Sequence, residues 1–150
     1  NQLEARYLYE PSTIALAAER ISPDALAKLE NILVGFSKAL LNNDSQGIVQ
    51  AYIEFKNVIF CSTQNNTLIN MGNQLMGNYR VTSQLFIDLP QEAKNNLFAG
   101  LVQLQQAIRS GDAARARRCD KEVIRYVADL LFEYENIPIP PIIQNDGSDE

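Results

Sequence analysis

The sequence predicts an all-α fold, an antiparallel bundle of six helices, on three observations. Apolar residues recur at helical spacing through almost all of the first 135 residues. The interruptions are short and carry capping residues, glycine or proline. No segment alternates apolar and polar residues as a half-buried strand does; Val58-Ile59-Phe60 is β-prone but lies within a helical period.

The elements follow in order. A first helix is expected from Leu3 to about Glu19, with Pro11 inside it as a kink or restart. Ser22-Pro23-Asp24 is a strong start signal: a serine cap, proline at the first helical position, and an acid near the positive end of the dipole. That second helix runs to about Leu41. Asn42-Asn43-Asp44 breaks it, and Asp44 can cap a third helix reaching about Cys61. After Gln64-Asn65-Asn66 a fourth is expected to about Phe86, and Asp88-Leu89-Pro90 begins a fifth. Gly111-Asp112 joins the fifth to a sixth, because glycine suits the left-handed end of one helix and aspartate caps the next. Beyond Glu135, Ile137-Pro138-Ile139-Pro140-Pro141 is expected to be extended and polyproline-like, and 145–150 disordered. The organisation is therefore one helical domain over 1–135 and a Pro-rich, then acidic, tail over 136–150.

Composition narrows the function classes. One domain of ordinary size is expected for 150 residues with 46% apolar content. The net charge of −5 is uneven: five acids and no base follow Phe132, while thirteen bases meet thirteen acids before it. A neutral body with an acidic tail is a poor binder of nucleic acid by itself. The basic run Arg115, Arg117, Arg118, Lys121 and Arg125 is diluted by Asp112, Asp120 and Glu122 and reads as a solvated face. No apolar run is long enough to span a membrane, and no signal peptide is evident. Cys61 and Cys119 have no metal-binding spacing and read as reduced thiols of a cytoplasmic protein. There is no histidine, which excludes any histidine-built metal site. With no histidine base, Gly-rich phosphate loop or nucleophile motif, the chain reads as a non-enzyme. It starts at Asn1, so it is expected to be part of a longer or processed protein.

A helix wheel locates the unusual residues. In the third helix, Ile48, Tyr52, Phe55 and Ile59 lie within one apolar arc, with Gln46, Gln50, Glu54 and Asn57 opposite. Lys56 falls near the middle of the apolar arc. An ammonium there needs a partner or loses its charge. It can snorkel outward, pair inside the protein, or meet a bound anion. Asp120, in the sixth helix's apolar arc of Ala116, Val123, Val127 and Leu130, is a candidate internal partner. In the fifth helix Gln105 edges the stripe of Leu97, Leu101, Leu104 and Ile108. In the first, Arg6 and Glu10 are four apart beside Leu3, Tyr7, Ile14 and Ala17 and read as an ordinary helical ion pair. Several helices thus aim single polar groups at one interior, as a small-molecule pocket in a bundle requires.

Three segments carry a family resemblance. Arg6, then Tyr9-Glu10-Pro11, then Ile14-Ala15-Leu16-Ala17-Ala18, resembles the opening of the FCD domain, the effector-binding part of FadR-type regulators in the GntR family. Tyr9 replaces the usual leucine. In the third helix the family writes Asp-x-x-Phe-His with Asn nine residues later; Phe55 and Asn65 match, while Tyr52 and Lys56 stand at the Asp and His positions. Ala107, Gly111, Asp112 and Ala116 match the turn between the last two long helices. Counting outward, the family's other two histidines fall on Leu101 and Val123.

The resemblance covers roughly residues 3 to 132. It implies an antiparallel bundle of six to seven helices that dimerises. It also implies an N-terminal winged helix-turn-helix outside this chain that contacts operator DNA, and a small carboxylate effector often held on a divalent metal. The four liganding positions, Tyr52, Lys56, Leu101 and Val123, do not suit a zinc, nickel or manganese shell. A pocket free of metal and of other cofactors is therefore expected. It would be apolar for an acyl-type ligand, or Lys56 would supply the positive charge to a carboxylate. Arg6 would then be a second cation, with Asn65, Gln105 and Arg80 (beside the Met71-Leu75-Tyr79 stripe) giving orientation. The competing expectation is a ligand-free dimerisation bundle with a filled core and an internal Lys56–Asp120 pair.

Overall fold

The helix boundaries form for local reasons that the side chains state. In the computed structural model, which describes residues 2–77 and 86–146, the long elements are α1 (Gln2–Arg20), α2 (Pro23–Leu41), α3 (Ser45–Ser62), α4 (Asn66–Gly77), α5 (Gln91–Arg109) and α6 (Ala113–Glu135). A short α7 (Pro141–Asn145) follows. Ser22 Oγ accepts from Ala25 N–H at 3.1 Å, and Asp44 and Asp112 accept from Gly47 and Arg115 N–H at 3.0 Å each. Each satisfies a backbone donor that the first helical turn leaves open. Gly111, at φ +71°, supplies the left-handed residue after α5. Asn136, at φ 55°, does the same after α6.

Pro11 neither ends nor restarts α1, which is assigned as one helix from Gln2 to Arg20. The proline is buried in this stretch, so its packing offsets the strong local penalty of a proline inside a helix. The expected fourth helix is described to Gly77, and residues 86–88 are again helical; Arg80 and Tyr79 lie outside the described residues.

Five helices close into a ring in the order α1, α6, α5, α2, α3 and back to α1, each packed on the next, with α4 lying against α1 and α3. Gly72 permits that approach: a Cβ there would sit 2.6 Å from the Phe60 ring and 2.9 Å from the Tyr9 hydroxyl. The ring is filled by Ile14, Leu29, Phe36, Ile48, Phe55, Ile59, Leu97, Leu101, Leu104 and Ile124, all buried. The described helices contain no strand partner and none is long and apolar enough to cross a membrane.

The tail differs from its expectation. Residues 136–140 are non-helical, but Pro141 opens α7 as a helix-compatible first residue, and Ile143 is buried. Asp146, placed in the disordered stretch by composition, is held: its carboxylate accepts from Tyr7 OH at 2.5 Å and from Lys121 Nζ at 2.9 Å. Composition misses this because one apolar anchor and one clasped carboxylate order a segment that has no periodic pattern.

Candidate functional site: a buried charge quartet on the ring axis

Three helices each bring charge to one dry place. From α1, Arg6 and Glu10 are one turn apart, and Arg6 Nε donates to Glu10 Oε1 at 3.0 Å. From α3, Tyr52 and Lys56 repeat that spacing, and Arg6 Nη2 donates to the Tyr52 hydroxyl at 3.0 Å. From α6, Asp120 Oδ1 accepts from Lys56 Nζ at 2.5 Å, and the same ammonium reaches Glu10 Oε2 at 3.4 Å. The Lys56 and Asp120 side chains and that of Glu10 are fully inaccessible, and Arg6 keeps only 4% exposure. Two cations thus face two carboxylates, and the quartet is electrically neutral. Burying any one of the four alone would be prohibitive; together they compensate one another.

The electrostatics follow from who has which neighbours. Burial works against the Lys56 ammonium, but Asp120 and Glu10 outweigh it and hold its pKa above the ordinary lysine value. Burial also works against the Glu10 carboxylate, yet Arg6 and Lys56 together hold its pKa below the ordinary value. Asp120 has only Lys56 as a nearby bonded cation, so burial wins and its pKa is pushed up to about 6, with the Glu10 charge adding to the rise. One oxygen, Asp120 Oδ2, is buried with no hydrogen-bond partner among the described residues. The other such atom is Gln105 Nε2, on the buried face of α5.

Of the residues singled out from sequence, Arg6, Tyr52 and Lys56 meet directly. Gln105 faces the ring interior from α5 and is 6% exposed. Leu101 is core. Val123 is also buried and lines a surface-open cleft of about 350 Å³ with Leu97, Gly100, Cys119 and Tyr126. Asn65 stands apart: it is exposed and caps α4, its Oδ1 accepting from Leu68 N–H at 3.1 Å. Arg80 lies outside the described residues. Glu10 is the member that sequence reasoning underrated. It sits between Tyr7 and Ile14 on the wheel, three and four residues away, so its place within the apolar stripe was there to be found.

The donor set does not fit a transition metal. The place where the resemblance puts a histidine holds a lysine ammonium, already bonded to both nearby carboxylates. Tyr52 is engaged by Arg6, and Leu101 and Val123 have no donor atom. Among the described residues no three of His, Cys, Asp and Glu gather in a metal-holding group.

Comparison with known proteins agrees with this architecture. The structure of E. coli McbR/YncC is similar with a TM-score of 0.79 at 23% identity, over 89% of this chain and 64% of that one. Streptococcus agalactiae GntR is similar with a TM-score of 0.64 at 20% identity, over 84% of this chain and 54% of that one. The chain therefore spans less than two thirds of either protein, and at these identities the likeness concerns the fold. No curated protein sequence matches. The family description for the FCD domain matches residues 2–126, nearly the whole helical body. The chain belongs to the FCD domain family.

Proposed function

We propose that this chain is the effector-binding domain of a GntR-type transcriptional regulator. The effector would bind on the ring axis, beside the quartet, in a site without metal. The observation that carries this reading is the convergence of Arg6, Glu10, Tyr52, Lys56, Gln105 and Asp120 on the interior of a closed helical ring in an FCD domain. An interior meant only for stability is served as well or better by apolar residues of similar volume. The domain would act as a homodimer in the cytoplasm. It would shift the placement of DNA-binding domains outside this chain by binding one arrangement more tightly than another.

The effector belongs to the carboxylate or acyl class that the resemblance implies. The neutral quartet supports the uncharged side of that range, since neither Lys56 nor Arg6 is without a carboxylate. The test is a metabolite screen by thermal shift beside metal analysis of the purified chain. A stabilising small molecule whose effect is lost in Lys56→Met or Gln105→Leu supports the reading. Stoichiometric transition metal in the protein would overturn the metal-free site.

A second reading has its own observation. The short Lys56–Asp120 bond closes the quartet on itself, as a filled dimerisation core requires. Under that reading no compound in the screen would raise the melting temperature.

A further inference from the structure

The basic run of α6 is not solvated throughout. Lys121 and Arg125 stand one turn apart, and their side chains keep only 10% and 25% exposure. Both lie over the Tyr7 ring, at 5.6 and 5.9 Å from its centroid. Tyr7 comes from α1, which packs along α6, and is itself buried. A phenol, an ammonium and a guanidinium thus form one cradle on two long helices. An aromatic face attracts cations, so the ring helps to hold both of them whatever anion they bind.

What the cradle holds is the carboxylate of Asp146. Its Oδ2 accepts from Tyr7 OH at 2.5 Å and from Lys121 Nζ at 2.9 Å, and lies 3.7 Å from Arg125 Nη2. Arg125 Nη2 also donates to the Asp146 backbone carbonyl. Two cations therefore meet one carboxylate. Glu122, the acid next to Lys121 in sequence, is exposed and lines the cleft toward α5 instead. Asp146 reaches the cradle at the end of a tail, beyond the non-helical residues 136–140, and within α7 the buried side chain is Ile143.

We propose that Tyr7, Lys121 and Arg125 form a binding site for a small free dianion of the phosphate class, which the chain's own tail keeps closed with Asp146 as an internal competitor. A dianion matches the two cations charge for charge. Its several oxygens can accept from the phenol, the ammonium and the guanidinium together. Asp146 is tethered, so it competes at a local concentration on the order of millimolar. An arriving dianion takes the place of its carboxylate, and residues 144–146 detach while Ile143 keeps the rest of α7 near α1. The site lies at the rim, separate from the ring axis, and does not rest on the sensor reading there.

The experiment titrates inorganic phosphate into the isotopically labelled 150-residue chain at pH 8.0. Sodium chloride holds the ionic strength constant, and acetate serves as the monoanion. Amide chemical shifts report binding at the cradle and release of the tail. In the wild-type chain phosphate should move the amides of Tyr7, Lys121 and Arg125 and bring those of 144–146 toward unstructured positions. Acetate should bind at least tenfold more weakly. Asp146→Ala removes the competitor and should bind phosphate at least tenfold more tightly than wild type. Adding Lys121→Met should abolish that gain; if this double variant does not fold, Asp146→Ala/Arg125→Gln takes its place with the same expectation. Equal phosphate affinity in wild type and Asp146→Ala, or wild-type binding that leaves 144–146 in place, would overturn the competition. Acetate bound as tightly as phosphate would overturn the dianion class. An Asp146→Ala chain that binds no phosphate, or a double variant that keeps the gain, would overturn the site.

Discussion

Two charge clusters lean on α1, one on the ring axis and one at its rim, and they differ mainly in water. On the axis, Arg6, Glu10, Lys56 and Asp120 are two cations and two carboxylates with almost no exposure. At the rim, Asp146 is held by Tyr7, Lys121 and, at 3.7 Å, Arg125, with side chains 10 to 25% exposed for the three charged groups. Lys121 and Arg125 also lie over the Tyr7 ring, at 5.6 and 5.9 Å from its centroid. The axis must balance its charges because no solvent reaches it. The rim tolerates two cations on one carboxylate because water screens the excess. The same residue types therefore form a balanced buried set in one place and a solvated fastener in the other.

The largest expected effect comes from breaking the axis. Lys56→Met leaves Glu10 and Asp120 buried with one cation between them and should cost about 3–5 kcal/mol in chemical denaturation. The double variant Lys56→Met/Asp120→Leu removes a pair of opposite charges together. It should recover most of that loss, because an apolar pair of similar volume replaces a desolvated ion pair at little or no net cost. A double variant as unstable as the single one would show that the quartet is not balanced pairwise.

Next in size is the tail's apolar anchor. Ile143→Ala should cost about 2 kcal/mol, at the low end for a buried aliphatic because the site lies at the edge of the core. Hydrogen exchange should report the loss in α7 and the first half of α1, while amides around Lys56 in α3 stay protected.

Smaller again is the clasp itself. Asp146→Asn keeps the shape and removes the charge, and should cost about 1 kcal/mol or less, falling further in high salt. The exposed Arg109–Glu30 bridge, at 2.6 Å, is the control: Arg109→Ala should change stability by no more than about 0.2–1 kcal/mol.

The rim also carries a pH signature. Burial, and then the hydrogen bond to Asp146, push the Tyr7 phenol up to about 12 from an ordinary 10.0. Between those values the folded chain holds a proton that the unfolded chain has released. Stability is therefore complete below pH 10 and falls as pH rises toward 12. Tyr7→Phe should remove part of that fall in an alkaline titration followed by circular dichroism, while Tyr9, which burial also pushes up to about 12, keeps a part of the same sign. Lys56, whose pKa is also raised, contributes a fall of the same sign above 10.5, and this part should persist in Tyr7→Phe.

How much could be read without the structure differs between these regions. Ser22, Asp44 and Asp112 announce their helix starts because a cap acts within three residues of itself. Lys56 and Asp120 stand out on a wheel because each interrupts an otherwise apolar arc. Glu10 was harder to place, since its i,i+4 partner Arg6 offers an ordinary surface explanation for the same two residues. Asn65 matches a family position, yet its side chain serves the start of α4, and spacing alone does not say which way a capping residue turns. The clasp at Asp146 was not legible, because Tyr7 is 139 residues away and the intervening tail has no periodicity.

The sequence by itself determined the long helices and their capped starts, the all-α class, the family and the presence of an ammonium on a buried face, though not α7. Each of these is a local or periodic property, written within a few turns of chain. Only the tertiary structure decided that Lys56 is shared between Glu10 and Asp120, that the quartet is neutral, and that Gln105 and Asp120 are buried on facing helices of one interior. Those outcomes depend on how three helices approach across a ring, a distance that no single helix encodes.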